Sequence, residues 1–340
     1  QNNIYVCNSG AFQPNGSNSF GTTFIESYTK EHNLRWRMYG LSFLDSGVTD
    51  PKDTSSVYTK FGRFSMNYHT SSEQKWAYAG YTLNPHKYPN DYRLVYNNLH
   101  PVAVRTLNGV KTMFLTDMYG YSLYVYRFNK ETDGETAIPC MAIIDDTKST
   151  VRNVSLYADQ AGNGNLSIVE QINPRTGVNY EHIWVGWSVD DDGNIWNGKQ
   201  SKHMINKYRY NGLNDKGIPT WSYSSAAEFN ISAPAPFDGT KVKDTVKTGS
   251  NGEDLYINAN NFDDLRFCYY DSKNDAMYLT GAFNRYDYGN GGERMTSQSK
   301  SPGDAFARFD NWSKGNRTYI YVTSFDNDRS LYQGKYLNLN

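Results

Sequence analysis

Residues 267–281 read FCYYDSKNDAMYLTG, and this stretch shows the pattern that decides the fold. Two short runs of aromatic and apolar residues flank a turn of Asp, Ser, Lys and Asn. Aromatic side chains favour the half-buried surface of a strand, whereas Asp, Asn and Ser favour turns. The stretch is therefore predicted to form a β-hairpin.

The same pattern occurs seven times along the chain, at intervals of about 40 to 60 residues, which is close to the repeat length of propeller blades. The other six stretches begin at Phe24, Phe64, Leu123, Val169, Lys207 and Phe306. No segment has a sustained helical period with capping signals. We therefore predict an all-β chain that forms a single β-propeller over residues 1–340, with about seven blades and with six or eight left open. Two tandem β-sandwiches are the alternative, but the sequence shows no linker or break in composition.

One repeat carries a more specific pattern. Residues 188–198 read SVDDDGNIWNG, and MINKYRYNGLNDKGIPTW begins at Met204. An Asp-Gly turn precedes an aromatic strand, and a second hairpin follows. This repeat resembles the blades of NHL and quinoprotein-like propellers of secreted bacterial proteins. The resemblance implies a fold and no particular activity.

Residues 158–170 read ADQAGNGNLSIVE and follow most of the EF-hand loop pattern. Gly164 stands where that loop turns sharply, and Ala161 stands where one ligand is expected. The predicted metal ligands are Asp159, Asn163, Asn165, Ser167 and Glu170. Because two carboxylates and several neutral oxygens suit weak calcium binding, we predict a structural calcium ion in a dockerin-like insertion near residues 159–170. A polar turn without metal is the alternative.

Charge and composition limit the partners. Lys and Arg number 34 against 35 Asp and Glu, and no basic stretch stands out, so nucleic acid is not a predicted partner. No apolar run has the length of a membrane span. The first residue, Gln1, is what a mature or excised fragment would show. We therefore expect a secreted or cell-surface bacterial protein, a monomeric module of a longer chain.

The three cysteines are far apart. Cys7, Cys140 and Cys268 have no metal-ligand spacing, and their odd number leaves at least one thiol unpaired. We expect buried thiols inside strands, with one long-range disulfide left open.

Motifs of nucleophilic or metal-dependent hydrolases are absent from the sequence, including G-x-S-x-G and HExxH. The predicted ligand-binding residues are therefore polar or aromatic side chains in loops. His86 and Arg93 lie in NPHKYPNDYR at residues 84–93, and Trp312 precedes a Ser-Lys-Gly-Asn turn that should expose it.

The aromatic surplus suggests a function. The chain has 29 Tyr, 16 Phe and 7 Trp, and such rings stack on sugars as well as packing between sheets. With no catalytic motif, we expect a non-catalytic recognition module that binds carbohydrate or a cell-surface partner and holds a structural calcium ion. One alternative is a propeller enzyme acting on polysaccharide, a hydrolase or lyase whose acidic groups lie on separate blades. The other is a scaffold domain.

Overall fold

The computed structural model describes residues 4–8, 11–12, 18–19, 23–41, 47–71, 75–96, 99–117, 120–128, 136–145, 154–172, 186–199, 204–228, 242–248, 254–257, 264–282, 304–314 and 318–324. The chain forms two compact units. The first comprises Gln1–Val178 and Tyr210–Ser222, and the second comprises Asn179–Arg209 and Tyr223–Asn340. The single domain expected over residues 1–340 stays a prediction.

Strands account for nearly all of the described secondary structure. The first fifteen are β1 (Ile4–Asn8), β2 (Ala11–Phe12), β3 (Asn18–Ser19), β4 (Thr23–Tyr28), β5 (Leu34–Leu41), β6 (Val48–Asp50), β7 (Asp53–Tyr58), β8 (Gly62–Met66), β9 (Trp76–Tyr81), β10 (His100–Leu107), β11 (Val110–Thr116), β12 (Ser122–Phe128), β13 (Ala137–Asp145), β14 (Val154–Ala158) and β15 (Ser167–Ile172). The remaining ten are β16 (Trp187–Val189), β17 (Ile195–Lys199), β18 (Met204–Leu213), β19 (Pro219–Glu228), β20 (Val242–Thr248), β21 (Asp254–Ile257), β22 (Asp264–Asp271), β23 (Ala276–Ala282), β24 (Asp304–Asp310) and β25 (Thr318–Ser324).

The all-β prediction is confirmed. Within the described ranges the helical segments are two short 3₁₀ turns, Tyr92–Leu94 and Trp312–Lys314. No helix in this part of the chain has the length and apolar character that crossing a membrane requires.

The larger sheets are meanders that follow chain order. Their strand orders are β6-β7-β8-β9, β10 through β15, β16-β17-β18-β19 and β22-β23-β24-β25. Smaller sheets have the orders β1-β4-β5, β2-β3 and β20-β21. Within the first unit β10 lies beside β6, and within the second unit β22 lies beside β16 and β17. The strands β6, β10, β16 and β22 are each the first strand of their sheet, so the first strands of two sheets meet in each unit.

The predicted hairpins map onto these sheets only in part. Those that begin at Phe24, Phe64, Leu123, Lys207, Phe267 and Phe306 correspond to neighbouring strands. The stretch from Val169 begins in β15 and continues through residues 173–185, which lie outside the described residues. Because the hairpins from Phe267 and Phe306 share one sheet, the assumption of one hairpin per blade is wrong, and the blade count stays a prediction.

The core of the first unit is built on β11 and β12. These strands are buried along almost their whole length, including Phe114 and Tyr126, which are both 0% exposed. Because successive side chains of a strand point to opposite faces, burial of nearly all of them means that both faces of this part of the sheet are covered.

Arg93 connects this core to the sheet β6–β9. Its Nη1 donates to the carbonyl of Lys60 (3.1 Å) and to Thr82 Oγ1 (3.0 Å), while Nη2 donates to the carbonyl of Ala137 (2.9 Å) and to Asp91 Oδ2 (2.6 Å). Its Nε donates to both oxygens of Asp91 at 3.1 Å. Lys60 and Thr82 adjoin β8 and β9, and Ala137 begins β13. The guanidinium, which also lies over the Tyr126 ring at 4.4 Å, therefore joins the two sheets.

Aspartates close many of the turns. The carboxylate of Asp117 accepts the amides of Tyr121 and Ser122, and that of Asp190 accepts the amides of Asp192 and Asn194. The Trp196 indole also donates to Asp190 at 2.8 Å, and burial raises the pKa of this carboxyl. The acidic run at residues 190–192 therefore forms a hairpin turn, as the sequence favoured.

The turn between β10 and β11 offers a test of backbone conformation. Asn108 (φ 48°) and Gly109 (φ 79°) both occupy the left-handed region, as a two-residue hairpin turn of type I′ requires. Gly109→Ala should cost about 1 kcal/mol or more in the free energy of unfolding, because alanine is strained at positive φ. Gly80→Ala is the matched control, since both glycines have open space around an added methyl group but only Gly109 has a positive φ. Equal unfolding midpoints for the two variants in a denaturant titration would contradict this turn.

The Arg93 connection predicts a large loss of stability on truncation. Arg93→Met leaves the Asp91 carboxylate buried without its partner, which should cost about 3–5 kcal/mol in the free energy of unfolding. The matched control is Arg308→Met, because the Arg308–Asp310 pair (2.8 Å) is partly exposed and should contribute less than about 1 kcal/mol. Urea unfolding gives the free energy of unfolding of both variants. If Arg93→Met loses no more of it than Arg308→Met does, the buried Arg93–Asp91 pair does not stabilise the fold as proposed.

Candidate functional site

Two loops that the sequence singled out separately lie together in the first unit. Asn90 Nδ2 donates to Asn165 Oδ1 at 2.9 Å, so residues 84–91 and residues 159–165 are in contact. A Cβ added at Gly164 would lie 2.7 Å from Cδ1 of Tyr88, and Gly164 has φ +81°, so only glycine fits there. We call residues 84–91 and 159–165 the two-loop surface. Of the predicted ligand-binding residues, His86 is exposed on it.

Arg93, by contrast, is not available to a ligand. It is 2% exposed, and its guanidinium nitrogens donate to the partners described above. The expectation that Arg93 binds a ligand from a surface loop is therefore wrong, because the side chain turns inward to satisfy backbone carbonyls and Asp91.

Trp312 is also buried. The side chain is 3% exposed and meets the Phe309 ring edge-on, with the ring centroids 5.8 Å apart. The turn that follows it was expected to expose the indole, but the 3₁₀ turn Trp312–Lys314 directs the ring into the second unit. The prediction of an exposed recognition residue is wrong for this tryptophan.

The predicted calcium ligands do not converge in this conformation. Both carboxylate oxygens of Asp159 accept loop amides, Asn163 Oδ1 accepts the amide of Asn165, and Asn165 Oδ1 accepts from Asn90. Ser167 and Glu170 belong to strand β15. Across the described residues, which include all five, no group of three His, Cys, Asp or Glu side chains is placed to hold a metal. In this arrangement the donor set does not fit calcium, and the calcium site inferred from the sequence stays a prediction.

A cluster of tyrosines was missed by the sequence analysis. Tyr92 and Tyr96 stack with ring centroids 6.3 Å apart at 15°, Tyr92 lies 4.6 Å from Tyr124, and Tyr96 stacks on Tyr124 at 5.9 Å and 28°. Tyr96 is 42% exposed, whereas Tyr124 is buried. We call Tyr92, Tyr96 and Tyr124 the tyrosine platform. The stretch DYRLVY at residues 91–96 gave no signal that its rings would meet one from β12.

Two phenols of the platform, those of Tyr92 and Tyr124, have a raised pKa. Burial raises the pKa of Tyr92, and the neighbouring phenols of Tyr157 and Tyr96 raise it further because two phenolates would repel each other. Burial likewise raises the pKa of Tyr124, with smaller contributions from Tyr96 and Asp117. These hydroxyls therefore remain protonated at neutral pH, and a protonated phenol can donate a hydrogen bond to a bound oxygen.

Two of the three cysteines are free and buried, as expected. Cys140 and Cys268 form no disulfide, and burial raises the pKa of the Cys268 thiol to about 12 and that of Cys140 above its usual range. Neither thiol is available as a thiolate nucleophile. The side chain of Cys7 lies outside the described residues.

Comparison with known proteins gives only distant similarity. No family model and no curated protein matches the chain. A candidate 6-phosphogluconolactonase from Bacteroides fragilis is 10% identical, with 97% of this chain and 84% of that chain covered and a TM-score of 0.40. The periplasmic gluconolactonase of Pseudomonas aeruginosa is 12% identical, with 87% and 82% covered and a TM-score of 0.36. A protein from Lactobacillus plantarum is 9% identical, with 97% and 94% covered and a TM-score of 0.35.

These comparisons correct the expected function. Two of the three proteins are named as lactonases, which are enzymes, so the prediction of a non-catalytic recognition module is wrong against this finding. At TM-scores of 0.40 and below, the likeness carries no reaction and no substrate over to this chain. It gives no support to an NHL-type propeller or to a dockerin-type calcium loop.

Proposed function

We propose that this chain is a β-propeller enzyme that acts on a carbohydrate, a hydrolase or lyase of polysaccharide, and that a sugar ring of its substrate binds on the tyrosine platform. One observation carries the proposal. The half-exposed ring of Tyr96 is stacked on two further tyrosines, which hold it in a fixed orientation.

Stacked tyrosines suit a sugar for physical reasons. The face of an aromatic ring covers the apolar C–H groups of a pyranose, and the phenol offers a polar group at its edge. Tyr96 is supported by Tyr92 and Tyr124, so little side-chain entropy is lost when a sugar stacks on it. Leu94 and Val95, both exposed, extend the apolar surface beside this ring.

The protonated phenols supply a chemical role beyond binding. A hydroxyl whose pKa is raised stays a hydrogen-bond donor, and such a donor stabilises an oxygen on which negative charge develops in a transition state. Tyr92 is only half-buried, and in this proposal its hydroxyl donates to an oxygen of the bound substrate.

The form of the sheets and the contacts between their strands support the propeller arrangement. The sheets β6–β9, β16–β19 and β22–β25 are four-stranded meanders, the form of a propeller blade. The contacts of β10 with β6, and of β22 with β16, bring opening strands together, as expected of the inner strands of adjacent blades. A sheet covered on both faces, such as the one that contains β11 and β12, is also what radial stacking requires. An extracellular location belongs to the same proposal.

The test is a screen for activity on soluble polysaccharides with the purified chain. A hydrolase releases new reducing ends, whereas a lyase also produces an unsaturated product that absorbs ultraviolet light. With a substrate in hand, Tyr96→Ala should weaken its binding about tenfold, or about 1.4 kcal/mol, because the stacking face is lost.

Tyr78→Ala is the matched control for that variant, since Tyr78 is a 59% exposed tyrosine on β9 outside the platform. The proposal requires Tyr78→Ala to bind as the wild type does. Equal losses in both variants, or no turnover of any polysaccharide, would overturn it.

The raised pKa values also predict an alkaline limit of stability. The contribution of a phenol whose pKa is raised on folding is complete below its unfolded pKa of about 10 and is lost as the pH rises through the folded value. We expect the unfolding midpoint to fall above about pH 10, and to fall less steeply in Tyr124→Phe, which has no ionisable hydroxyl. Thermal unfolding across this pH range provides the measurement, and an equally steep decline in the variant would contradict a raised pKa at Tyr124.

A further inference from the structure

The loop that resembles a calcium site is closed from within. Asp159 Oδ1 accepts the amides of Gly162 (2.7 Å) and Asn163 (3.1 Å), and Oδ2 accepts the amide of Gly164 (2.9 Å). Gly162 and Gly164 have φ of +80° and +81°, which turns these amides toward the carboxylate. Three N–H donors therefore use three of the roughly four lone-pair positions of this carboxylate.

A cation is already present beside this carboxylate. Nη2 of Arg127 lies 3.8 Å from Asp159 Oδ2 and donates to the carbonyl of Gly162 at 3.3 Å. The Asp159 side chain is 0% exposed and that of Arg127 is 16% exposed, so little water screens the pair. Because a buried carboxylate is costly without a compensating charge, Arg127 supplies what the loop would otherwise take from an ion.

The strand register keeps the second carboxylate away. A calcium loop of this type places its first Asp and its last Glu on one ion, at about 2.3–2.6 Å. Here Ala158 pairs with Ser167, and Glu170 pairs with Leu156. Leu156 lies three residues before Asp159, so the backbone position of Glu170 is offset from that of Asp159 by about 10 Å along the strand at the usual rise per residue.

We propose that Arg127, and not a calcium ion, closes the 159–165 loop and thereby positions the two-loop surface. Arg127 acts as a positioning residue. It holds Asp159, whose three amide contacts set the path of the loop, and this path seats Gly164 on Tyr88 and brings Asn165 to Asn90. The surface is then assembled without metal. The role of Arg127 does not depend on the carbohydrate proposal, because its test measures the unfolding midpoint and calcium binding and not activity.

The test compares thermal unfolding in millimolar calcium chloride and in a chelator. The wild type should have the same midpoint in both, and isothermal titration should show no calcium binding. Arg127→Met should lower the midpoint in both solutions, and Arg127→Lys should recover part of the loss because it restores the charge. Arg308→Met is the control for loss of an arginine from a partly exposed pair and should change the midpoint less.

Two results would overturn the proposal. One is a wild-type unfolding midpoint that is higher in calcium than in the chelator, or calcium binding in the titration, if Asp159→Asn abolishes the effect. The other is an Arg127→Met midpoint no lower than that of Arg308→Met. If Arg127→Met does not fold, the calcium titrations of the wild type and of Asp159→Asn decide the question without it.

Discussion

The guanidinium of Arg93 is the constraint on which the first unit depends. A buried arginine is tolerated only where its charge is paired and its donors are bound, and here one carboxylate, one hydroxyl and three backbone carbonyls meet that requirement. The carbonyls belong to Lys60, Thr82 and Ala137, which lie in or next to two different sheets. The hydrogen bonds of one side chain therefore join the sheets β6–β9 and β10–β15.

The same residue determines the surface that we assign to the substrate. Asp91 caps the 3₁₀ turn by accepting the amide of Arg93 at 2.9 Å, and its other contacts include the hydroxyl of Tyr126. With Arg93 directed inward, the rings of Tyr92 and Tyr96 on either side of it turn toward Tyr124. The buried ion pair and the exposed platform are therefore two sides of one turn. Arg127 and Asp159 give the neighbouring 159–165 loop a comparable anchor.

The sequence predicted what local chemistry controls. The strands and most hairpins follow from alternating aromatic residues and polar turns, and the acidic run at residues 190–192 is the turn that its composition favours. It did not predict contacts made by residues distant in the chain. Arg127, which we propose completes the 159–165 loop, lies beside Asp159 but comes from β12, so the loop's own residues could not reveal it. Trp312 was expected to be exposed because turn residues follow it in the sequence. Those residues could not show that the 3₁₀ turn brings its ring against Phe309. The tyrosine platform was missed for the same reason.

The most direct test of this account is hydrogen exchange at the Arg93 side chain, measured by nuclear magnetic resonance on protein labelled with ¹⁵N arginine. If the guanidinium is buried with its donors bound, its Nε–H should exchange only when the first unit unfolds. Its exchange rate should therefore fall as the free energy of unfolding rises. The partly exposed Arg308 should exchange much faster. An Arg93 Nε–H that exchanges as fast as that of Arg308 would contradict the account, because the turn that carries the tyrosine platform would then lack its anchor.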